Sequence, residues 1–75
     1  MIGIKVLGEN NGKYIDFIVS EDSENLYRYY KGENEFHKTI GLGKIGSAVR
    51  GKKRAKVLEL AKICMDGNLP FAMSM

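Results

Sequence analysis

Seventy-five residues, 44% of them hydrophobic and 28% charged, suit one small globular domain over residues 1–75 and exclude a disordered or collagen-like chain. The net charge of +3 is unevenly spread: residues 1–35 hold four basic and seven acidic side chains, residues 36–75 eight and two. Such asymmetry suits an acidic partner for the basic half, and no apolar run approaches the roughly 20 residues of a membrane span.

Residues 2–7 (IGIKVL) alternate as a strand, with Ile2, Ile4 and Val6 on one side. Asn11-Gly12 is the strongest short-range hairpin signal, because both central residues of the favoured turn need positive φ. Residues 14–20 (YIDFIVS) return antiparallel, with Ile15, Phe17 and Val19 facing the core. The polar cluster SEDSEN at 20–25 reads as a break. A third strand is expected over residues 26–30 (LYRYY), a turn at KGEN and a fourth strand over residues 35–40 (EFHKTI). A helix over residues 23–31, capped by Ser23, is the competing reading; the tyrosines weigh toward the sheet.

From Lys52 the period changes. Val57, Leu58, Leu60, Ala61, Cys64 and Met65 fall within an arc of about 160°, opposite Lys52, Lys56, Glu59, Lys62 and Asp66. Gly67 is expected to end this helix in the left-handed conformation, with Pro70 preventing continuation and the apolar tail packing back as a short strand. The predicted fold is α+β: a small antiparallel β-meander of three to four strands with one long amphipathic helix on one face.

Between sheet and helix, Gly41, Gly43 and Gly46 satisfy the pattern G-x-G-x-x-G after a strand and before a helix. Over these ten residues IGLGKIGSAV resembles the phosphate loop of NAD-dependent dehydrogenases. That resemblance implies two βαβ halves and an acid about 20 residues on; Asp66 has the spacing, but the antiparallel pattern before Gly41 contradicts a parallel core. What the loop supports instead is a plain anion seat made of glycine-exposed amides and a helix N-terminus.

Arg50, Lys52, Lys53, Arg54 and Lys56 then put five cations into seven residues where a helix favours acids. Each cation misplaced in a first turn costs about 0.3–1 kcal/mol, a cost that a docked polyanion reverses. A helix starting near Ser47 would instead put these charges mid-helix on a solvated face. Lys53 and Arg54 project on the apolar side of the wheel, so they are expected beyond the sheet edge. In a strand Tyr27 and Tyr29 share one face, Arg28 and Tyr30 the other, and whichever pair is exposed offers planes for stacking bases. Arg28 and Lys38 extend the basic surface if both face outward.

The leading expectation is a small non-enzymatic nucleic-acid-binding module. It would contact phosphates through Lys44, Arg50, Lys52, Lys53, Arg54 and Lys56, with Arg28, Lys38, Tyr27 and Tyr29 beside them and Gly41, Gly43 and Gly46 as the anion loop. The alternative is a protein-interaction module, an inhibitor or adaptor using its acidic hairpin or a free sheet edge; a nucleotide-phosphate binder comes third. A homodimer stays open. Cys64 and His37 are each unique, so no internal disulfide and no cysteine–histidine metal cluster is expected. No cofactor and no carboxylate pair for general acid–base work is expected either. Lysine outnumbers arginine nine to three, a composition suited to a low-GC bacterium or its phage. The first residues lack a secretory leader, so a cytoplasmic protein without membrane attachment is expected.

Overall fold

The computed structural model describes residues 1–41 and 49–74. Five strands, β1 (Ile2–Asn10), β2 (Tyr14–Val19), β3 (Asp22–Tyr30), β4 (Phe36–Gly41) and β5 (Phe71–Ser74), form one antiparallel sheet in the order β4-β3-β2-β1-β5. One helix, α1 (Lys52–Gly67), crosses one face of it. The fold is thus the expected α+β meander with a single helix, and the apolar tail adds a fifth strand beside β1.

Local chemistry accounts for each boundary. Asn11 and Gly12 both take positive φ, 48° and 73°, and the Lys13 N–H closes the turn on the Asn10 carbonyl at 2.7 Å. The first hairpin therefore extends to Asn10, past the expected end at Leu7. The expected break at residues 20–25 is confined to Ser20 and Glu21, and β3 already starts at Asp22. Two features permit this early start. The Asp22 carboxylate accepts from both the Asn25 amide and the Tyr27 hydroxyl, and the ladder jumps from Phe17↔Tyr27 to Val19↔Asp22, so β3 carries extra residues opposite Ile18. No helix forms over residues 23–31.

At the C-terminal end of α1 the left-handed residue is Asn68 (φ 52°), not Gly67. Leu69 N–H bonds the Cys64 carbonyl at 2.9 Å and Asn68 N–H the Met65 carbonyl at 3.4 Å, a Schellman arrangement. Gly67 makes room for Leu69, whose side chain folds back over it: a Cβ there would lie 3.2 Å from Leu69 Cγ, and that side chain would have to shift.

The core fills the space between sheet and helix. Ile4, Ile15, Phe17, Val19, Tyr27, Tyr29 and Phe36 meet Val57, Leu60, Ala61 and Cys64. Phe17, Tyr27 and Phe36 form an aromatic triad with ring centroids 5.4–5.8 Å apart, stacked once and edge-on twice. Burial pushes the Cys64 thiol pKa up, leaving it a neutral apolar group. The opposite face of the sheet carries no helix among the described residues.

Candidate nucleic-acid interface

The helix starts at Lys52, so its cations do lie in the first turns. Gly51 occupies the N-cap position with φ 65° and ψ −138°, a conformation open to glycine, and no side chain caps the helix. The first turn contains no acid. Arg54 N–H reaches the Gly51 carbonyl at 3.0 Å, while the amides of Lys52 and Lys53 stand at the electropositive end of α1.

The five cations of this run divide into three groups. Arg50 and Lys52 are exposed and have no ion-pair partner among the described residues. Lys53 and Lys56 are exposed and paired: Lys53 bonds Glu21 in the β2–β3 turn, and Lys56 lies 3.4 Å from Glu59. The Lys53 hydrogen bond holds the Glu21 carboxyl below its ordinary pKa. Arg54 belongs to the fold. Its guanidinium sits 4.1 Å from the Phe36 ring centroid, donates to the Phe36 carbonyl and lies 3.2 Å from Glu35. Lys53 and Arg54, expected beyond the sheet edge, are held by groups at the margin of the sheet: Glu21 in the β2–β3 turn, and Glu35 with the Phe36 carbonyl at the start of β4.

On the sheet the expected stacking platform is corrected. Tyr27 and Tyr29 are 1% and 4% exposed, since alternate residues of β3 face α1 and fill the core. The outward pair is Arg28 and Tyr30. Arg28 holds Asp16 through two bonds of 2.8 and 3.1 Å, its guanidinium lies 3.8 Å from the Tyr14 ring centroid, and Tyr14 meets Tyr30 edge-on at 5.4 Å. The hydrogen bond to Asp16 raises the guanidinium pKa further above its already high value.

Arg28 and Lys38 do not join into one surface either. Lys38 is in register with Tyr27 and therefore on the helix side of β4, while Arg28 is opposite His37 on the outer side. Gly43, Lys44 and Gly46 lie outside the described residues; Gly41 ends β4, paired with Asn25.

One arrangement had no signal in the sequence. Val49 N–H donates to the Tyr27 hydroxyl at 3.3 Å, that hydroxyl donates to Asp22, and Asp22 also accepts from Asn25 at 2.7 Å. Asn25 is fully buried, and its carbonyl oxygen has no hydrogen-bond partner among the described residues. Burial first, and the Asp22 bond second, push the Tyr27 pKa up to about 12. The network pins the chain entering α1 onto β3, and residues from 22 to 49 meet there only through the fold.

Among the described residues no cluster of His, Cys, Asp or Glu is arranged to hold a metal ion, and no helix is long and apolar enough to cross a membrane. A cleft of about 570 Å³ lies between the first hairpin and the C-terminal end of α1, lined by Val6, Ile15, Met65 and Leu69 with Glu9 and Lys31 among its polar groups. It contains none of the expected phosphate-binding residues. Fold and site together define a two-layer α+β domain with a basic helix entrance. Compared with protein-family models, curated proteins and solved structures, the chain has no match.

Proposed function

We propose that this domain is a non-enzymatic nucleic-acid-binding module that grips backbone phosphates at the entrance of α1. The observation that carries this reading is the pair of exposed cations Arg50 and Lys52, without an ion-pair partner among the described residues, beside a first turn with neither acid nor side-chain cap. Lys56 and Lys53 add charge on the same end of the helix, and Lys38 lies on the same side of the sheet. A phosphate there meets positive charge and open amides together, which offsets the unfavourable placement of the lysines. Tyr27 and Tyr29 take no part, so the contact is to phosphate and independent of base sequence.

Fluorescence anisotropy with a labelled 20-nucleotide strand and with its duplex, between 50 and 200 mM salt, tests the reading. About three phosphates neutralised give a log–log slope of roughly −2 for the single strand and −3 for the duplex. Replacing Arg50 and Lys52 by alanine lowers the slope by about one to two and weakens binding. No binding at 50 mM salt, or a slope near zero, rejects it.

A second reading, a protein-interaction module that engages its partner by strand addition, is favoured by the unpaired edge of β5.

A further inference from the structure

The two edges of the sheet differ in kind. The β4 edge carries His37 and Lys38, a register shift between Leu26 and Tyr27 in its ladder, and Arg54 seated on the Phe36 carbonyl. Charges, bulges and covered carbonyls are how a sheet edge is kept from pairing. The β5 edge has none of these. Phe71–Ser74 is uncharged, and its ladder to β1 runs without a shift from Lys5↔Phe71 to Ile2↔Ser74.

Hydrogen-bond parity fixes what this edge offers. Val6 N–H bonds the Pro70 carbonyl at 2.9 Å, so residues 70, 72 and 74 turn their main-chain groups toward β1. Phe71 and Met73 therefore turn theirs outward. Their side chains stand on the uncovered face of the sheet, 62% and 58% exposed, whereas Ala72 points to the helix side and packs against the core. Gly3 leaves the room that Met73 occupies: a Cβ there would lie 3.3 Å from Met73 Cγ.

We propose that β5 pairs antiparallel with β5 of a second copy, about a two-fold axis at Ala72, making one sheet continuous across both chains. In this register Phe71 of each chain lies opposite Met73 of the other. Each such pair exchanges both of its outward N–H···O=C bonds, four in all, and Ala72 faces Ala72 as the close, non-hydrogen-bonded pair. Every polar group the edge exposes finds a partner. Side-chain faces match as well, since directly opposite residues share a face: each Phe71 ring lies against a Met73 thioether, and only the small Ala72 meets itself on the helix side.

Charge selects a second copy at this edge and not at the other. Lys5, beside Phe71, is separated from its counterpart by at least three strand spacings, about 14 Å, beyond the Debye length of roughly 8 Å at physiological salt. Pairing through β4 would instead bring two copies of Lys38 and of His37 onto one seam. The helices of both chains end up on the same side of the joined sheet, with their basic entrances toward opposite ends of the seam, because Lys52, Lys53 and Lys56 lie beside Ser74. The pairing uses neither Arg50 nor Lys52, so it stands or falls independently of phosphate binding.

A four-residue seam buries less than the roughly 800 Å² per partner of a standard interface, so a weak, concentration-dependent dimer is expected. Sedimentation equilibrium between about 1 µM and 1 mM reads it as a rise from one chain mass of 8.4 kDa to two. Met73→Pro removes only an outward N–H, leaves the bonds to β1 in place, and is expected to shift the midpoint at least tenfold; Met73→Lys at this exposed site does the same, with circular dichroism reporting that both still fold. Ala72→Cys, oxidised, is expected to give a disulfide-linked dimer, because the close pair has its Cα atoms within disulfide reach and native Cys64 is buried. A monomer at every concentration overturns the proposal. So does a dimer whose midpoint ignores both Met73 variants, or an Ala72→Cys chain that does not cross-link.

Discussion

The Tyr27 hydroxyl links three parts of the chain: it accepts from Val49 N–H, donates to Asp22, and sits on a ring stacked against Phe17. Its pKa of about 12 in the folded chain exceeds the value near 10 of an unfolded tyrosine. The folded state thus keeps a proton that the unfolded state releases first. The contribution is intact below about pH 10 and lost as pH rises toward 12. Tyr27→Phe is expected to remove this part of the alkaline loss of stability, while at pH 7 it leaves Val49 N–H unpaired and costs about 1–2 kcal/mol. Urea melts at pH 7 and at pH 11 for both chains check the two signs. Arg54 shows the same dependence on surroundings at a charged residue. A sequence count makes it one of five cations, but the Phe36 ring beneath it and the Phe36 carbonyl beside it make it a fastening between helix and sheet.

Helix α1 enters through Gly51 with positive φ, no cap and lysine at its first two positions, so its N-terminus is electrostatically disfavoured. Lys52→Glu supplies the missing acid at an exposed site. It is expected to stabilise the protein by about 0.3–1 kcal/mol at low salt, seen as a higher midpoint in thermal melts. The same substitution is expected to weaken nucleic-acid binding severalfold, since it removes one cation and adds one anion beside the phosphate. Opposite movement of stability and binding is what distinguishes a binding site from a solvated lysine run; a variant that gains stability and keeps its affinity sinks the binding reading. At the other end of the helix Asn68 in the left-handed conformation lets the Asn68 and Leu69 N–H groups close the Met65 and Cys64 carbonyls.

For the whole molecule, the stability expected at this length is about 4–11 kcal/mol. Most of the buried aromatic area lies in one triad, and Phe17 is fully buried against both Tyr27 and Phe36. Phe17→Ala is expected to cost about 3–5 kcal/mol, a large share of that stability, and to lower the urea midpoint without changing the slope. A two-layer domain also leaves one sheet face bare. On that face Phe71 and Met73 are exposed, 62% and 58%, with the Arg28–Asp16–Tyr14 cluster farther along. The uncharged edge that bounds it is the feature the proposed self-pairing uses.

Periodicity and turn chemistry alone determined the first hairpin, the antiparallel meander, the helix from Lys52 and the inward set Ile4, Ile15 and Phe17, because period-two and period-3.6 patterns are local properties of the chain. They also located the basic run. Which of its cations are free and which are fasteners was not legible. That depends on Glu21, Glu35 and Phe36, all from other elements, reaching Lys53 and Arg54 only after the helix is laid across the sheet. The orientation of β3 was undecidable for the same reason: alternation says that Tyr27 and Arg28 face opposite ways, but only the position of α1 decides which way is inward. Side-chain pattern is written along one dimension, and the partners that give charge and aromatic groups their roles come from the third.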